Sequence, residues 1–409
     1  MLKNYIKIAL KGLVRHKYYT FVSLFGIVIT LIVMTVSVAI INHSTTLGKS
    51  GTKLGRCLIA NKIEANFKDG HIGSIPSYWM LDHYFRDLKG AEAISLFSGR
   101  NEMVVYANNN RIPATIKYTD DIFWDITEFT FLEGAPYKKE DVDKARMIAV
   151  ITDRTEQKLF GNGQALGQYL ETSAGSYQIV GVIPYDKINA MALNADIYAP
   201  ITTSLSAMNN KQLWGNGNAL VLVPDNTSPA SIKQEFQSRV DQVYKDFKAE
   251  LKLQTLDCFL GTQGESASRE IDQNIIVYFA GTIGIMLLFM FLPAVNLTVI
   301  NFSRIMERYP EIGIRKAFGA SSIVLMGQFI IENLILTLIG GLIAYFISGI
   351  ILTYINDTGI VPWGFIDLDT RVFIYSMIVA IFFGIFSGIL PSYRMSRVHP
   401  AEALKGIAQ

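Results

Sequence analysis

Apolar residues run for membrane length in 21–41, 275–300, 333–354 and 372–390 of this 409-residue chain. Each run is close to the ~20 residues that cross a hydrocarbon core as a helix. Between the first and second lies a long polar region, 42–274, where apolar positions follow other rhythms. The runs 147–151, 177–183 and 219–223 are short, continuous and β-branched, which predicts buried strands, the second stopped by Pro184. Further on, Ile232, Phe236, Val240, Val243, Tyr244 and Phe247 recur at helical spacing, the stripe of an amphipathic helix packed on a sheet. The pattern predicts an α-helical membrane protein of four transmembrane helices, with a large α/β extracytoplasmic domain inserted between helices 1 and 2.

Composition supports the membrane class, since 50% of residues are hydrophobic and 18% charged. The placement of charge then orients the chain. Lys3, Lys7, Lys11, Arg15 and Lys17 precede the first span without an acid among them. Arg304, Arg308, Arg315 and Lys316 lie between spans two and three, and Arg394, Arg397 and Lys405 in the tail. The short 356–371 loop instead carries Asp357, Asp367 and Asp369 before Arg371. By the positive-inside rule the amphipathic 1–20 segment, the 301–322 loop and the 391–409 tail are cytoplasmic, and 42–274 is outside. The first run is longer than a signal-peptide core and no small-x-small site follows Ile41, so it is read as a retained anchor.

The outer region shows no catalytic constellation. His71 and His83 have no Cys, Asp or Glu at a recognised ligand spacing, and there is neither H-E-x-x-H nor G-x-S-x-G. They are expected to be surface histidines, and no metal site is expected. Trp79, Trp124 and Trp214 are read as core aromatics rather than a binding platform. Cys57 and Cys258 fall near the two ends of the outer region, and two readings stay open: a bridge joining those ends, or two unpaired buried thiols.

The segment 321–355 would be about 52 Å long as a helix, against a hydrocarbon core of roughly 30 Å. Its first part is therefore expected at the cytoplasmic interface, with Gln328 and Glu332 near the headgroups, and its second part as the third span. Small residues recur at four-residue spacing: Gly26 and Thr30, Ala280 and Gly284, Gly384 and Gly388. Such faces let helix backbones approach closely, within one subunit or between two. Pro293, Asn296 and Asn301 mark a bend near the cytoplasmic end of span two.

Between spans two and three, Pro310 suits a first helical position, Gly319 a left-handed C-cap, and Ser321 a cap for the next helix. Inside this short helix Glu311 and Arg315 pair at i, i+4, while Ile314 and Phe318 form an apolar ridge. A charged helix with one apolar ridge, too short to be a domain, calls for a partner on the cytoplasmic side.

The string Glu311-Ile312-Gly313-Ile314-Arg315-Lys316-Ala317-Phe318-Gly319-Ala320-Ser321, with Gln328-Phe329 and Glu332 after it, resembles the FtsX-like permease family, most closely the MacB-type ABC transporter permeases. Ala9-Leu10 to Gly26-Ile27, Val150-Ile151 to Leu159-Phe160-Gly161, Ala165-Leu166-Gly167, Val180 to Ile183, and the ending Pro391-Ser392-Tyr393-Arg394 to Pro400-Ala401-Glu402-Ala403-Leu404-Lys405 look like that family too. The resemblance implies a subunit that pairs with a second copy or a sister permease. It also implies an outer domain made of a porter-like part and an inserted second lobe. The 304–320 loop corresponds to the coupling helix that sits on the ATP-binding subunit, with Glu307, Arg308, Glu311, Ile314, Arg315, Lys316 and Phe318 as contact residues.

Members work by mechanotransmission: closure of the nucleotide-binding dimer moves the helices and so the outer domain. This sequence contains no G-x-x-x-x-G-K-[ST] loop. ATP and Mg are therefore expected on a separate ABC ATPase, with no cofactor and no enzyme activity on this chain. The implied function is export or extraction of an amphipathic cargo such as an antimicrobial peptide, macrolide-like drug, lipid or lipoprotein from the cytoplasmic (inner) membrane, with a periplasmic adaptor and outer-membrane channel as further partners. Nucleic acid is not an expected partner. The alternative is a signalling subunit that activates a cell-wall hydrolase, as cell-division members do.

Overall fold

The computed structural model describes residues 13–15, 17–45, 47, 52–161, 164–185, 192–204, 211–270 and 321–358, with 280–281, 284, 314, 318 and parts of 366–385. Most of the expected second span and of the 301–320 loop, and the end of the fourth span, lie outside the described residues, as does the tail. The chain divides into two compact units, one made of Asn42–Ile275 with Val361–Phe365 and the other of the apolar segments.

From the N-terminus, helix α1 (Lys17–Thr45) precedes the hairpin β1 (Cys57–Phe67) and β2 (Gly70–Pro76), helix α2 (Tyr78–Phe85) and β3 (Ala93–Ser98). Strands β4 (Asn101–Ala107) and β5 (Asn110–Thr119) come next, then α3 (Ile122–Thr127), β6 (Glu133–Gly134), α4 (Lys139–Asp143) and β7 (Ile148–Thr152). After α5 (Asp153–Phe160) come β8 (Tyr169–Thr172), β9 (Gly175–Ile183) and β10 (Ile197–Pro200). The chain returns through β11 (Trp214–Gly215) and β12 (Gly217–Leu222) to α6 (Pro229–Leu251), β13 (Leu253–Gly261) and α7 (Gln263–Glu270), and α8 (Ser322–Thr358) comes last.

The large unit has two lobes and two buried apolar clusters, one under α2 and α6 and the other filling the second lobe and taking in Cys57, Ile59, Phe97, Leu220 and Leu222 from the first lobe's sheet. In the first, β3 pairs antiparallel with β12, β12 with β1, and β1 with both β2 and β13. Helices α2 and α6 cover this sheet and pack on each other through Phe85 and Phe236, whose rings lie 4.3 Å apart. Helix α6 forms where the stripe predicts it. Ser228 caps its start, accepting from the Ala230 N–H at 3.3 Å, Pro229 opens the first turn, and Lys252 ends it in the left-handed region at φ 54°. Ile232, Phe236, Val240 and Val243 are buried, and Tyr244 and Phe247 pack at the rim.

The second lobe is an insertion between β3 and β12. Its pairings close on themselves: β4 with β5, β5 with β10, β10 with β7, β7 with β9, β9 with β8, and β8 back to β4. A closed ring presents no free strand edge. Val105, Ile116, Val150, Leu170, Tyr177 and Ile179 belong to its core. The β4–β5 hairpin turns on Asn108 and Asn109, both left-handed at φ 46° and 61°, the conformation that matches strand twist in a two-residue loop.

In the other unit, α1 contains an apolar stretch Thr20–His43 and α8 one from Ile330 to Thr358. These two helices, among the described residues, are long and apolar enough to cross a membrane. Helix α8 is continuous over 37 residues, about 55 Å at ~1.5 Å per residue. It packs on α1 through Ile27, Val28, Leu31, Leu336 and Ala344. Close approach depends on Gly340, where an added Cβ would lie 2.7 Å from Ile27 Cγ2. The blocking atom sits on a β-branched side chain that cannot swing aside. Gly340→Leu is expected to lower the stability of the helix pair by about 1–3 kcal/mol, seen as an earlier thermal transition in detergent, with little change for Gly327→Ala, where an added Cβ meets nothing within 4 Å.

Candidate functional site

Ser321 caps α8 as its position predicts: the Val324 N–H donates to Ser321 Oγ at 3.4 Å and to its carbonyl at 3.1 Å. Just before this cap the chain makes a helical turn, with the Phe318 N–H donating to the Ile314 carbonyl at 3.1 Å. Residues four apart on a helix share a face, so Ile314 and Phe318 form one ridge. The ridge is uncovered: Ile314 is 45% and Phe318 89% exposed. Glu307, Arg308, Glu311, Arg315 and Lys316 lie outside the described residues.

Gln328 and Glu332 sit one turn apart near the start of α8, and neither is without a partner. Glu332 lies just inside the apolar stretch and is 1% exposed, so its carboxylate faces protein. Of the small residues read as packing positions, Gly26 accepts from Thr30 Oγ1 at 2.7 Å inside α1, and an added Cβ at Gly284 meets nothing within 4 Å. Gly384 and Gly388 lie outside the described residues. The positions that do bring helices together are Gly340, against Ile27, and Gly341, where an added Cβ would collide with Met377. The Gly340-Gly341 pair inside an apolar run is visible in the sequence, but four-residue spacing does not select it.

The cysteine question resolves toward unpaired thiols. Cys57 and Cys258 are both free and buried. Cys258 stands opposite Ile63, six positions beyond Cys57 on β1, which is about 20 Å along a strand and far outside disulfide reach. Burial pushes the Cys57 thiol up to about 12 and raises the Cys258 thiol as well, so neither is a reactive thiolate.

In the outer lobes, Trp124 is core, while Trp79 and Trp214 pack at the edge of the first lobe's core. His83 stacks on Trp79 at 5.2 Å and His71 hydrogen bonds to Asn66 Oδ1 at 2.9 Å. A cavity of about 150 Å³ opens where the lobes meet, lined by Ser98, Asn101, Ser204, Gln212 and Asn216 among others, which holds amides and hydroxyls but no acid–base pair. The joint itself is tied by Asp120. Its carboxylate accepts from Arg86 at 2.6 Å, Ser95 Oγ at 2.7 Å, the Leu96 N–H at 2.8 Å and the Phe123 N–H at 3.1 Å.

A two-lobed outer domain, long apolar helices and an exposed ridge ahead of one of them agree with the family that the chain matches. The MacB-like periplasmic core domain matches residues 20–239, more than half of the chain, and the FtsX-like permease C-terminal domain matches 283–400. The chain belongs to the MacB-type, FtsX-like family of ABC transporter permeases.

The permease is 23% identical over 99% of both chains to an uncharacterized ABC transporter permease, YknZ, of Bacillus subtilis. It is 24% identical to the macrolide export ATP-binding/permease protein MacB of Mannheimia succiniciproducens, over 75% of this chain and 46% of that one. The permease thus spans about half the length of that relative. Among solved structures, the periplasmic region of MacB from Actinobacillus actinomycetemcomitans aligns with 54% of the permease and 94% of its own chain, at 13% identity and TM-score 0.39, too slight a likeness to bear on the assignment.

Proposed function

We propose that this permease is the four-span subunit of an ABC transporter in which a separate ATPase, bound at 304–320, drives movements of the extracytoplasmic domain to export or extract an amphipathic cargo. The observation that carries the reading is the exposed Ile314–Phe318 ridge directly ahead of the Ser321 cap. An aromatic left 89% exposed on a short turn is an anchor awaiting a pocket. A capped, unbroken 37-residue helix begins three residues after Phe318 at the Ser321 cap, and this helix would carry a push from the partner into the membrane part. Glu307, Arg308, Glu311, Arg315 and Lys316 surround the ridge in sequence and supply charge for orienting the partner. A second permease copy completes the assembly, and a periplasmic adaptor and outer-membrane channel extend it where the envelope has an outer membrane.

Phe318→Glu is expected to weaken ATPase assembly by about 2 kcal/mol, roughly 30-fold in affinity, while membrane insertion is unchanged. The check is a mild-detergent pull-down of tagged wild type and variant, with mass spectrometry and ATPase assay of the co-purified proteins. Wild type that brings no ATPase, even after crosslinking at residue 318, would end this reading. Recovery of an ATPase with a cell-wall hydrolase whose activity depends on ATP, and no cargo movement, would replace export by signalling.

A further inference from the structure

One amine in the extracytoplasmic domain is buried where charge is costly. Lys117 lies on β5 and is 2% exposed. Strand alternation turns it away from Ile116 and Tyr118, which face the inserted lobe's core. Its Nζ sits 5.2 Å from the centre of the Phe97 ring on β3. On β10 its register partner is Tyr198, a buried phenol already committed, accepting from the Ala195 N–H at 3.0 Å and donating to the Leu193 carbonyl at 2.9 Å. The charged group that acts on the amine is Arg100, in the link between β3 and β4, and it has the same sign. Asp120, the buried acid of this joint, is engaged by Arg86, Ser95, Leu96 and Phe123. Among the described residues no carboxylate pairs with Lys117.

The location matters as much as the burial. Strand β3 of the first lobe meets β5 of the inserted lobe at one register pair, Phe97 with Thr119. Lys117 stands two residues from that pair with its amine over the Phe97 ring. Burying an ammonium without a counter-ion is unfavourable enough that the group sheds its proton instead. Burial first, and Arg100 second, push this amine from the ordinary 10.5 down to about 7.

We propose that Lys117 is a pH-responsive latch on the joint between the two lobes: neutral, it lets β5 stay packed on Phe97 and β3, and protonated, it drives them apart. In the opened joint the amine regains water and its ordinary affinity for protons. Between about pH 7 and 10 the open form therefore binds more protons than the closed one, and opening grows as pH falls. Below pH 7 both forms are charged and the dependence levels off. The joint is stiff in alkaline surroundings and loosens as the compartment acidifies. The latch relies on the proposed moving role of the domain only for its purpose, because the joint is measurable without a transport partner.

The test is hydrogen exchange in the full chain, in lipid nanodiscs, between pH 6 and 9 after correction for intrinsic rates. Amides of 94–98 and 115–119 should gain protection up to about tenfold per unit between pH 7 and 9, and stay level below. Lys117→Met should be protected at every pH with no slope, and Lys117→Gln carries the same expectation should the methionine variant misfold. Arg100→Gln should move the midpoint upward. The latch is overturned by a wild-type joint with no slope, by a neutral variant that keeps the wild-type slope, or by the same slope in the distant amides of β13.

Discussion

Asp120→Ala is expected to cost the extracytoplasmic domain about 3–5 kcal/mol, from buried donors left unpaired at ~1–3 kcal/mol each. The carboxylate is 3% exposed and gathers donors from α2, β3 and the start of α3. Its loss leaves two backbone N–H groups and a buried hydroxyl without their acceptor, while the Arg86 guanidinium, a third exposed, keeps Asp82 at 2.9 Å. The cost is mostly that of the orphaned donors rather than of the pair itself. Asp120→Asn should recover part of the loss, since an amide oxygen still accepts from Leu96 or Phe123, but not the charge opposite Arg86. Ser95→Ala removes a single donor and should cost about 1 kcal/mol. Urea unfolding monitored by near-UV circular dichroism gives the three values, and an alanine variant within about 1 kcal/mol of wild type would remove Asp120 from its place as the tie of the joint.

Phe236→Ala should cost about 3–5 kcal/mol by a different route, the opening of a cavity between α6 and α2. The side chain is 1% exposed and stacked on Phe85, with Ile232 and Val240 one turn away on either side. Beside this contact, Tyr84 Oη donates to Asp246 at 2.8 Å and Trp79 packs on Phe247 at 6.1 Å, while the Arg239–Asp87 pair at 3.3 Å, whose acid is 77% exposed, adds little. Phe236→Leu fills most of the void and should cost less than half as much. Because Phe236 belongs to the apolar cluster under α2 and α6 and not to the one that fills the second lobe, the loss should appear in exchange protection of β13 and α6 before that of β7 and β9.

These two residues mark what the sequence could and could not reveal. Phe236 was legible, because α6 carries a helical stripe and clear caps. Strands β7, β9 and β12 were legible for the same kind of reason, each being a short apolar run. Strand β1 was not: its pattern breaks at the irregularity between Ile59 and Lys62, and Asn61, Lys62 and Glu64 make it read as a loop. The ring of β4, β5, β7, β8, β9 and β10 depends on pairings between segments far apart in the chain, such as β5 with β10, which no local window contains. Asp120 looks like any surface acid beside Asp121, and Lys117 like any surface lysine on a mixed strand. Their burial is a property of the assembled lobes. The Ile314–Phe318 ridge was legible because helical spacing and the Ser321 cap are local, whereas the cysteine pairing needed the strand register.

The way the second lobe is inserted has an evolutionary consequence. Ser98 and Gly217, where the chain leaves the first lobe and re-enters it, are direct cross-strand partners, and the Gly99 N–H donates to the Asn216 carbonyl at 3.0 Å. The entry and exit of the second lobe therefore lie side by side, and the Phe97–Thr119 pair, the β2–β11 pair and the Asp120 tie join it to the first lobe as well. A lineage can therefore exchange the insert at two neighbouring backbone positions, provided the new segment still supplies an acceptor for Arg86 and the Leu96 N–H, while the apolar helices and the Ile314–Phe318 ridge are inherited unchanged. The insert and the rest of the chain are free to diverge at different speeds.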